Sequence, residues 1–301
     1  MLFRNAVVYR LPAGWSVPVA ELEARLEAAV LQPCGPFDMS SRGWVPAGPT
    51  NRFVHTVAGH HLVALGLDQK ILPAAVIRQV ALERAAELAE GQGYPVGRRQ
   101  MRELKLRVTE ELRARALSRR SVTRAWLDPQ GGWCVVEAAG AKRAETFVEA
   151  MRAALETFPV LPLKGDRAPA ARMAGWLRHG DVPGGWLIEP ELELKAADKS
   201  KAAVRWSRQP FDSRDVLRYL DGGLAVARLG LTWRDKVSLV STDELALKRI
   251  EFLGLSSEPG DGGGELDAAA QFDVDFALMA GELSQVIADL DAAIGGAPER
   301  Q

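Results

Sequence analysis

Stretches in which every second residue is apolar alternate along this chain with stretches in which an apolar residue returns every three to four positions. Residues 2–11 alternate and predict a strand. "SVPVAELEARLEAAV" predicts a helix, with Ser16 as its cap, Pro18 in the first turn and Leu22, Leu26 and Val30 as its apolar stripe. "RGWVP", "RFVHTVAG" and "HHLVALGL" are short alternating runs broken by Gly and Pro, which predicts an antiparallel meander. "LPAAVIRQVALERAAELAEGQG" predicts a helix entered at Pro73 and ended by Gly91 and Gly93, and a second helix follows from Arg98 to Leu117. Together they form a helical hairpin inserted between strands.

The period then returns to two in "SVTRAWLD" and "WCVVEA", separated by a "PQGG" turn. Lys142 to Phe158 is helical, with Phe147, Met151 and Leu155 at spacing four. "PVLPL" closes this part, and a short helix around "AARMAGWLRHG" opens a second mixed region. There "KAAVRWSRQ" predicts a strand, "DSRDVLRYLDGG" a helix, and "LAVARLGLTW", "KVSLVST" and "LALKRIEFL" a meander. "SSEPGDGGGE" is a loop, and "ELDAAAQFDVDFALMAGELSQVIADLDAAIGG" is mostly helical and acidic. Strands and helices come in groups rather than in strict βα alternation. The fold class is therefore α+β, with mixed or antiparallel sheets, the inserted hairpin and a second α+β region.

Composition changes this picture little. The 301 residues are 47% hydrophobic and 26% charged, as in ordinary soluble domains. No apolar run reaches the roughly 18 residues that span a membrane. The N-terminus lacks the pattern of a signal peptide, so a cytoplasmic protein is expected, with Cys34 and Cys134 reduced and packed.

Charge changes it more. The formal net charge is only -1, yet "RARALSRRSVTR", Arg113 to Arg124, holds five arginines and no acid. From Arg98 to Arg124 ten bases face three acids, a balance of +7; from Glu251 to Gln301 eleven acids face Arg300 alone, a balance of -10. Segregation of this kind points to a polyanion at one surface, and to another region that repels it or docks on a base. The plainer alternative is a solvated helix face.

On the second helix, Arg98, Arg102, Lys105, Thr109 and Arg113 fall along one stripe, and Met101, Leu104, Val108 and Leu112 along the next. The apolar stripe would pack on the partner helix and leave a row of cations outside. Arginine suits phosphate because its planar fork donates two hydrogen bonds at once. Such a row follows a duplex backbone without reading bases. Tyr94 is the one aromatic between Val76 and Thr123, so the stacking platform of single-strand binders is missing.

Catalytic patterns are scarce. His60 and His61 are neighbours on a strand and point to opposite faces. No HExxH, zinc-spaced Cys/His set, phosphate loop or nucleophile elbow occurs. "GDGGGE" reads as a linker, and Asp273 and Asp275 of "DVDF" read as solvated or paired rather than metal-bound. No enzyme activity and no cofactor are expected.

Several segments together resemble the recombination-associated protein RdgC family of bacteria: "FRNAVVYRL" (3–11), "PCGPFDMSSRGWVP" (33–46), "KILPAAVIRQ" (70–79), "RALSRRSVT" (115–123) and "FDVDFALMAGEL" (272–283). They occur in the family's order over nearly the whole chain. The resemblance implies a non-enzymatic, nucleoid-associated protein whose ring-shaped homodimer encircles double-stranded DNA without marked sequence preference and restrains the RecA recombinase. It implies a central domain at 1–75 and 119–168, a helical finger at 76–118, a base domain at 169–264, and a C-terminal helical segment at 265–301 that returns to the central domain. The expected DNA-binding residues are Arg98, Arg99, Arg102, Lys105, Arg113, Arg115, Arg119, Arg120 and Arg124. The family's basic-polar pair on the base matches Arg208 and Gln209 in "RWSRQP", which otherwise reads as a solvent-facing strand end. Where family members can carry Phe, this chain has Arg120, which suits a phosphate or a partner acid such as Glu110 or Glu111. The rival expectation is a protein–protein adaptor whose basic hairpin docks acidic surfaces. A third is a hydrolase whose site has no recognised motif.

Overall fold

The N-terminal alternation forms strand β1 (Asn5–Arg10), and helix α1 (Val19–Ala28) follows. The first helical hydrogen bond runs from Leu22 N to Pro18 O, 2.9 Å, so Pro18 rather than Ser16 stands at the helix entry. The computed structural model describes residues 2–165, 167–196, 198, 202–254 and 268–295. The "GDGGGE" linker lies outside the described residues.

Next come β2 (Ser40–Val45), β3 (Val54–Val57) and β4 (His60–Lys70). They are antiparallel, as expected, but not a meander in chain order. With 11 residues, β4 serves two partners: its first four pair with β3, and Ala64 to Gln69 pair with β2. Helices α2 (Ala74–Gln92) and α3 (Arg98–Arg115) separate β4 from β5 (Ser118–Asp128). Then follow β6 (Trp133–Val136), α4 (Ala141–Leu155), β7 (Leu161–Pro162) and α5 (Pro169–His179). The chain continues with β8 (Trp186–Ala196), β9 (Ala203–Ser207), α6 (Ser213–Asp221), β10 (Leu224–Trp233), β11 (Val237–Thr242), β12 (Ala246–Phe252) and α7 (Ala268–Ala293).

Contacts group the chain into two units. The first takes residues 1–25, 46–63 and 123–301; the second takes 26–45 and 64–122.

In the first unit the strands run β5-β6-β1-β12-β11-β10-β8-β9, and each pairing is antiparallel. The meander expected for β10, β11 and β12 is present. Strand β8 is an element that the period-two reading passed over, because Pro190 interrupts it. The sheet accommodates Pro190 with a bulge: Leu229 pairs Leu192 and Leu231 pairs Ile188, leaving Gly230 opposite three residues. A Cβ on Gly230 would come within 3.0 Å of the Cβ atoms of Glu189 and Glu191. The core holds Phe3, Trp126, Phe147, Phe158, Trp233 and Phe276, all fully buried.

In the second unit the strand order is β2-β4-β5, and α2 and α3 pack on each other. Residues 29–31 cross β2 closely: Trp44 N donates to Ala29 O and Leu31 N to Trp44 O, each at 2.9 Å. Gly43 makes this crossing possible, since a Cβ there would lie 2.4 Å from Leu31 Cα. Gly66, paired with Gly43 across the strands, leaves the room that the Leu31 side chain fills. Lys70 ties the 33–46 segment to the end of β4. Its Nζ, buried, donates to Gly35 O at 2.7 Å and Pro36 O at 3.1 Å, and its backbone N donates to Met39 O. Cys34 Sγ donates to Asp68 O at 3.2 Å. Both cysteines are free thiols, Cys134 buried and Cys34 half-buried.

Candidate nucleic-acid interface

The helix pair is built from small residues and cross-links. Pro73 precedes α2, and Gly93, at φ 79°, ends it with its N–H on Ala89 O; Gly91 lies inside the helix. Residues 93–97 join α2 to α3. Ala81 and Ala85 are the buried residues of α2, and Val108 is that of α3, which lets the backbones approach. Arg84 forks onto Glu111, with Nη1 to Oε1 at 3.1 Å, and Gln100 reaches Gln92 at 3.2 Å. The guanidinium of Arg84 holds the Glu111 carboxyl below the usual range.

This packing turns the charged residues of α3 outward. Met101, Leu104 and Leu112 are half-buried beside Val108, as the apolar stripe predicts, while Arg98, Arg99, Arg102 and Lys105 are exposed. Arg99 pairs with Glu103 at 3.3 Å, on its own helix. Arg98, Arg102 and Lys105 have no ion-pair partner among the described residues. The first turn of α3 contains no acid. The positive end of the helix dipole and the cations of the first turn therefore add rather than cancel, an arrangement that an anion relieves.

The stripe does not stay free to its end. Arg113 is half-buried and its Nη1 donates to Phe37 O at 3.0 Å, so it anchors the base of the helix. Arg115 is exposed near Glu111, whose carboxyl it helps to hold low. On β5, Arg119 is exposed and lines a hollow of about 390 Å³ with Gln69, Lys70, Ile71 and Ser121. Arg120 has a partner, but neither Glu110 nor Glu111. Its Nε and Nη2 donate to the two carboxylate oxygens of Asp68, both at 2.8 Å. These bonds hold the buried Asp68 carboxyl below its ordinary range. Asp68 was absent from the sequence-based site, and neither its spacing nor its surroundings in sequence signal the pair. Arg107, exposed beside the others on α3, was also left out.

The remaining candidates lie in the first unit. Arg124 is half-buried, 3.8 Å from Glu137. Arg208 is exposed, has a left-handed backbone (φ 56°), and lines a hollow with Glu189, Glu191 and Arg249; Gln209 is exposed beside it. The acids of the C-terminal stretch are engaged here as well. Asp273 Oδ1 accepts from His55 Nε2 at 2.7 Å. Glu282 accepts from Lys236 at 2.9 Å, and Asp289 accepts from Trp233 Nε1 at 2.8 Å and Arg234 at 2.9 Å. Asp291 pairs with Arg10, and Asp275 bonds Gln271 at 2.8 Å. His60 and His61 have different neighbours, Asp128 and Thr56. Among the described residues no group of three or more His, Cys, Asp or Glu is placed to hold a metal ion, and no helix is long and apolar enough to cross a membrane.

Residues 1–297 match a family model described as "Putative exonuclease, RdgC". Curated relatives named "Recombination-associated protein RdgC" align over almost their full length. The protein of Cupriavidus necator is 41% identical over 296 residues, covering 98% of this chain and 99% of the relative. That of Laribacter hongkongensis is 42% identical over 301 residues, covering 99% and 100%. That of Dechloromonas aromatica is 40% identical over 299 residues, covering 98% of each.

Proposed function

Because the chain belongs to the RdgC family of recombination-associated proteins, we propose that it binds duplex DNA without reading sequence and restrains RecA-dependent recombination. Two copies close around the duplex as a ring, with α2 and α3 as the finger, and the protein acts by binding rather than by catalysis. The observation that carries this reading is the row Arg98, Arg102 and Lys105. These are three cations without an ion-pair partner among the described residues, on a helix whose first turn contains no acid. Arg99, Arg115 and Arg119 extend the row as phosphate contacts, and Arg113 and Arg120 position the segment that presents them. The adaptor alternative is weaker, because the acids of α7 that a basic hairpin would dock on already have partners in their own chain.

Electrostatic binding has a measurable signature. If about six phosphates are neutralised, log K falls with log salt at a slope of about -5, from roughly -0.9 per phosphate. Topological encirclement adds slower dissociation from closed circular duplex than from short linear duplex. Both are read by titrating end-labelled linear and circular DNA over a range of salt. Salt-independent affinity, strong preference for one sequence, or equal dissociation from both forms would overturn the respective part of the proposal. Loss of the end label in the presence of magnesium or manganese would overturn the non-catalytic part and favour the exonuclease of the family description.

A further inference from the structure

The connection between α2 and α3 presents the one aromatic side chain of the helix pair. Tyr94 is 58% exposed, and its side chain makes no hydrogen bond or ring contact among the described residues. The backbone beneath it is fixed in advance. Gln92 Nε2 donates to Tyr94 O at 2.9 Å, Gln100 Nε2 donates to Gln92 Oε1 at 3.2 Å, and Gly97 N donates to Gln100 Oε1 at 3.0 Å. Gln100 thus ties both ends of the connection together. Gly93 turns the chain at φ 79°, and Pro95 disfavours a helical backbone at Tyr94. Val96 is half-buried and seats the connection, whereas Tyr94 and Pro95 face outward.

From Gly91 to Arg102 the chain carries Arg98, Arg99 and Arg102 and no acid. Arg98 and Arg102 are exposed and have no ion-pair partner among the described residues. A free ring next in sequence to free guanidinium groups suits a nucleotide, with the base on the ring and the phosphate on the cations. An intact duplex hides its base faces within the stack, and opening a step costs more than one ring returns. A row of aromatics to hold a long single strand is lacking. An unpaired base at an interruption of the duplex offers its face freely, beside a backbone that α3 can follow. Building on the duplex-binding reading, we infer that Tyr94 stacks on such a base. The protein then distinguishes a duplex carrying one unpaired nucleotide from an intact one. A second copy fits this apex less well, because it would set the arginines against their equivalents.

The test uses the full chain and fluorescein-labelled duplexes of the same length and ends. One is intact, one has a single extra adenine in one strand, and one has an abasic nucleotide in place of that adenine. Anisotropy should show the adenine bulge bound at least about fivefold more tightly than the intact duplex, and the abasic bulge bound like the intact duplex. Tyr94→Ala should remove the preference and Tyr94→Phe, which keeps the ring, should retain it. Both variants should bind the intact duplex within about twofold of wild type, since no phosphate contact is lost. Tyr94 is so exposed that folding should be unaffected, which circular dichroism checks. Equal binding of bulged and intact duplex by the wild type overturns the proposal and leaves duplex binding standing; binding of neither overturns both. An abasic bulge bound as tightly as the adenine bulge, or a preference that survives Tyr94→Ala, overturns it in favour of a bulge recognised by its flexibility. Loss of the preference in Tyr94→Phe overturns the stacking. Weaker binding of the intact duplex by Tyr94→Ala overturns it in favour of insertion between stacked pairs, and slower sedimentation of that variant in favour of a second copy.

Discussion

Helices α3 and α7 both come from segments of strong single-sign charge, and the fold treats them oppositely. Helix α7 buries Phe276, Met279, Ala280, Leu283, Val286, Ile287 and Leu290, and Asp273, Glu282, Asp289 and Asp291 reach His55, Lys236, Arg234 and Arg10. Helix α3 buries Val108 alone, and Arg98, Arg102 and Lys105 meet no counter-charge among the described residues. Acidic α7 is thus a core element whose charges are consumed at its margins. Basic α3 is a thin support whose charges remain available. A charge run becomes a binding surface only where tertiary structure withholds partners from it, and that property is not local to the run.

The largest effect should come from breaking the packing side of this contrast. Phe276 is fully buried in the first unit. Phe276→Ala should cost about 3–5 kcal/mol, from lost transfer energy and the cavity left behind. Leu106, on the outer side of α3, is 60% exposed, and Leu106→Ala should change stability by less than about 0.5 kcal/mol. Urea denaturation of the two variants measures both. If they cost the same, α3 is as much a core element as α7.

The electrostatic side should break without unfolding. Replacing Arg98, Arg99 and Arg102 together with Ala removes up to three phosphate contacts, so the salt slope should flatten by about 2.7, equally for all duplexes. The melting temperature should hold or rise slightly, since cations leave the positive end of a helix dipole. An early-melting triple variant would show that these arginines support the fold.

Much of this contrast was legible in the sequence because it rests on period and composition. The stripes of α3, the glycine stop of α2 and the β10–β12 meander follow from local patterns, and their boundaries fall close to those observed. What was not legible depends on distant atoms. The sheet takes in Pro190 of β8 because Gly230, on another strand, yields space for a bulge. Gly43 looks like any strand glycine until residues 29–31 cross it. Ser16 has the chemistry of a cap, yet the helix starts after Pro18. Within the site, Arg113 and Arg120 read the same as Arg98 and Arg102. They differ only because Phe37 O and Asp68 lie beside them in space, 76 and 52 residues away in sequence.

Arg120 gives the smallest and most selective effect, because it is a cation of the basic segment that behaves like the charges of α7. Its fork on Asp68 holds that carboxyl below the ordinary range. A depressed pKa means that the pair's stabilisation is complete above the ordinary carboxylate range and is lost as pH falls through the depressed value. Arg120→Ala leaves a buried carboxylate without its counter-ion, which is worse than losing an exposed pair. The variant should therefore melt below wild type at about pH 7, and the gap should close only as pH falls below the ordinary carboxylate range and through the depressed value of the wild type, where Asp68 becomes neutral in both proteins. Adding Asp68→Asn should narrow the gap at neutral pH, since the stranded charge is gone. Duplex affinity at neutral pH should change by less than about twofold, in contrast to the triple variant. A gap independent of pH would mean that the pair contributes no linkage. A large loss of DNA affinity with little loss of melting temperature would place Arg120 with Arg98 and Arg102, as a cation that leaves Asp68 for phosphate when DNA is bound.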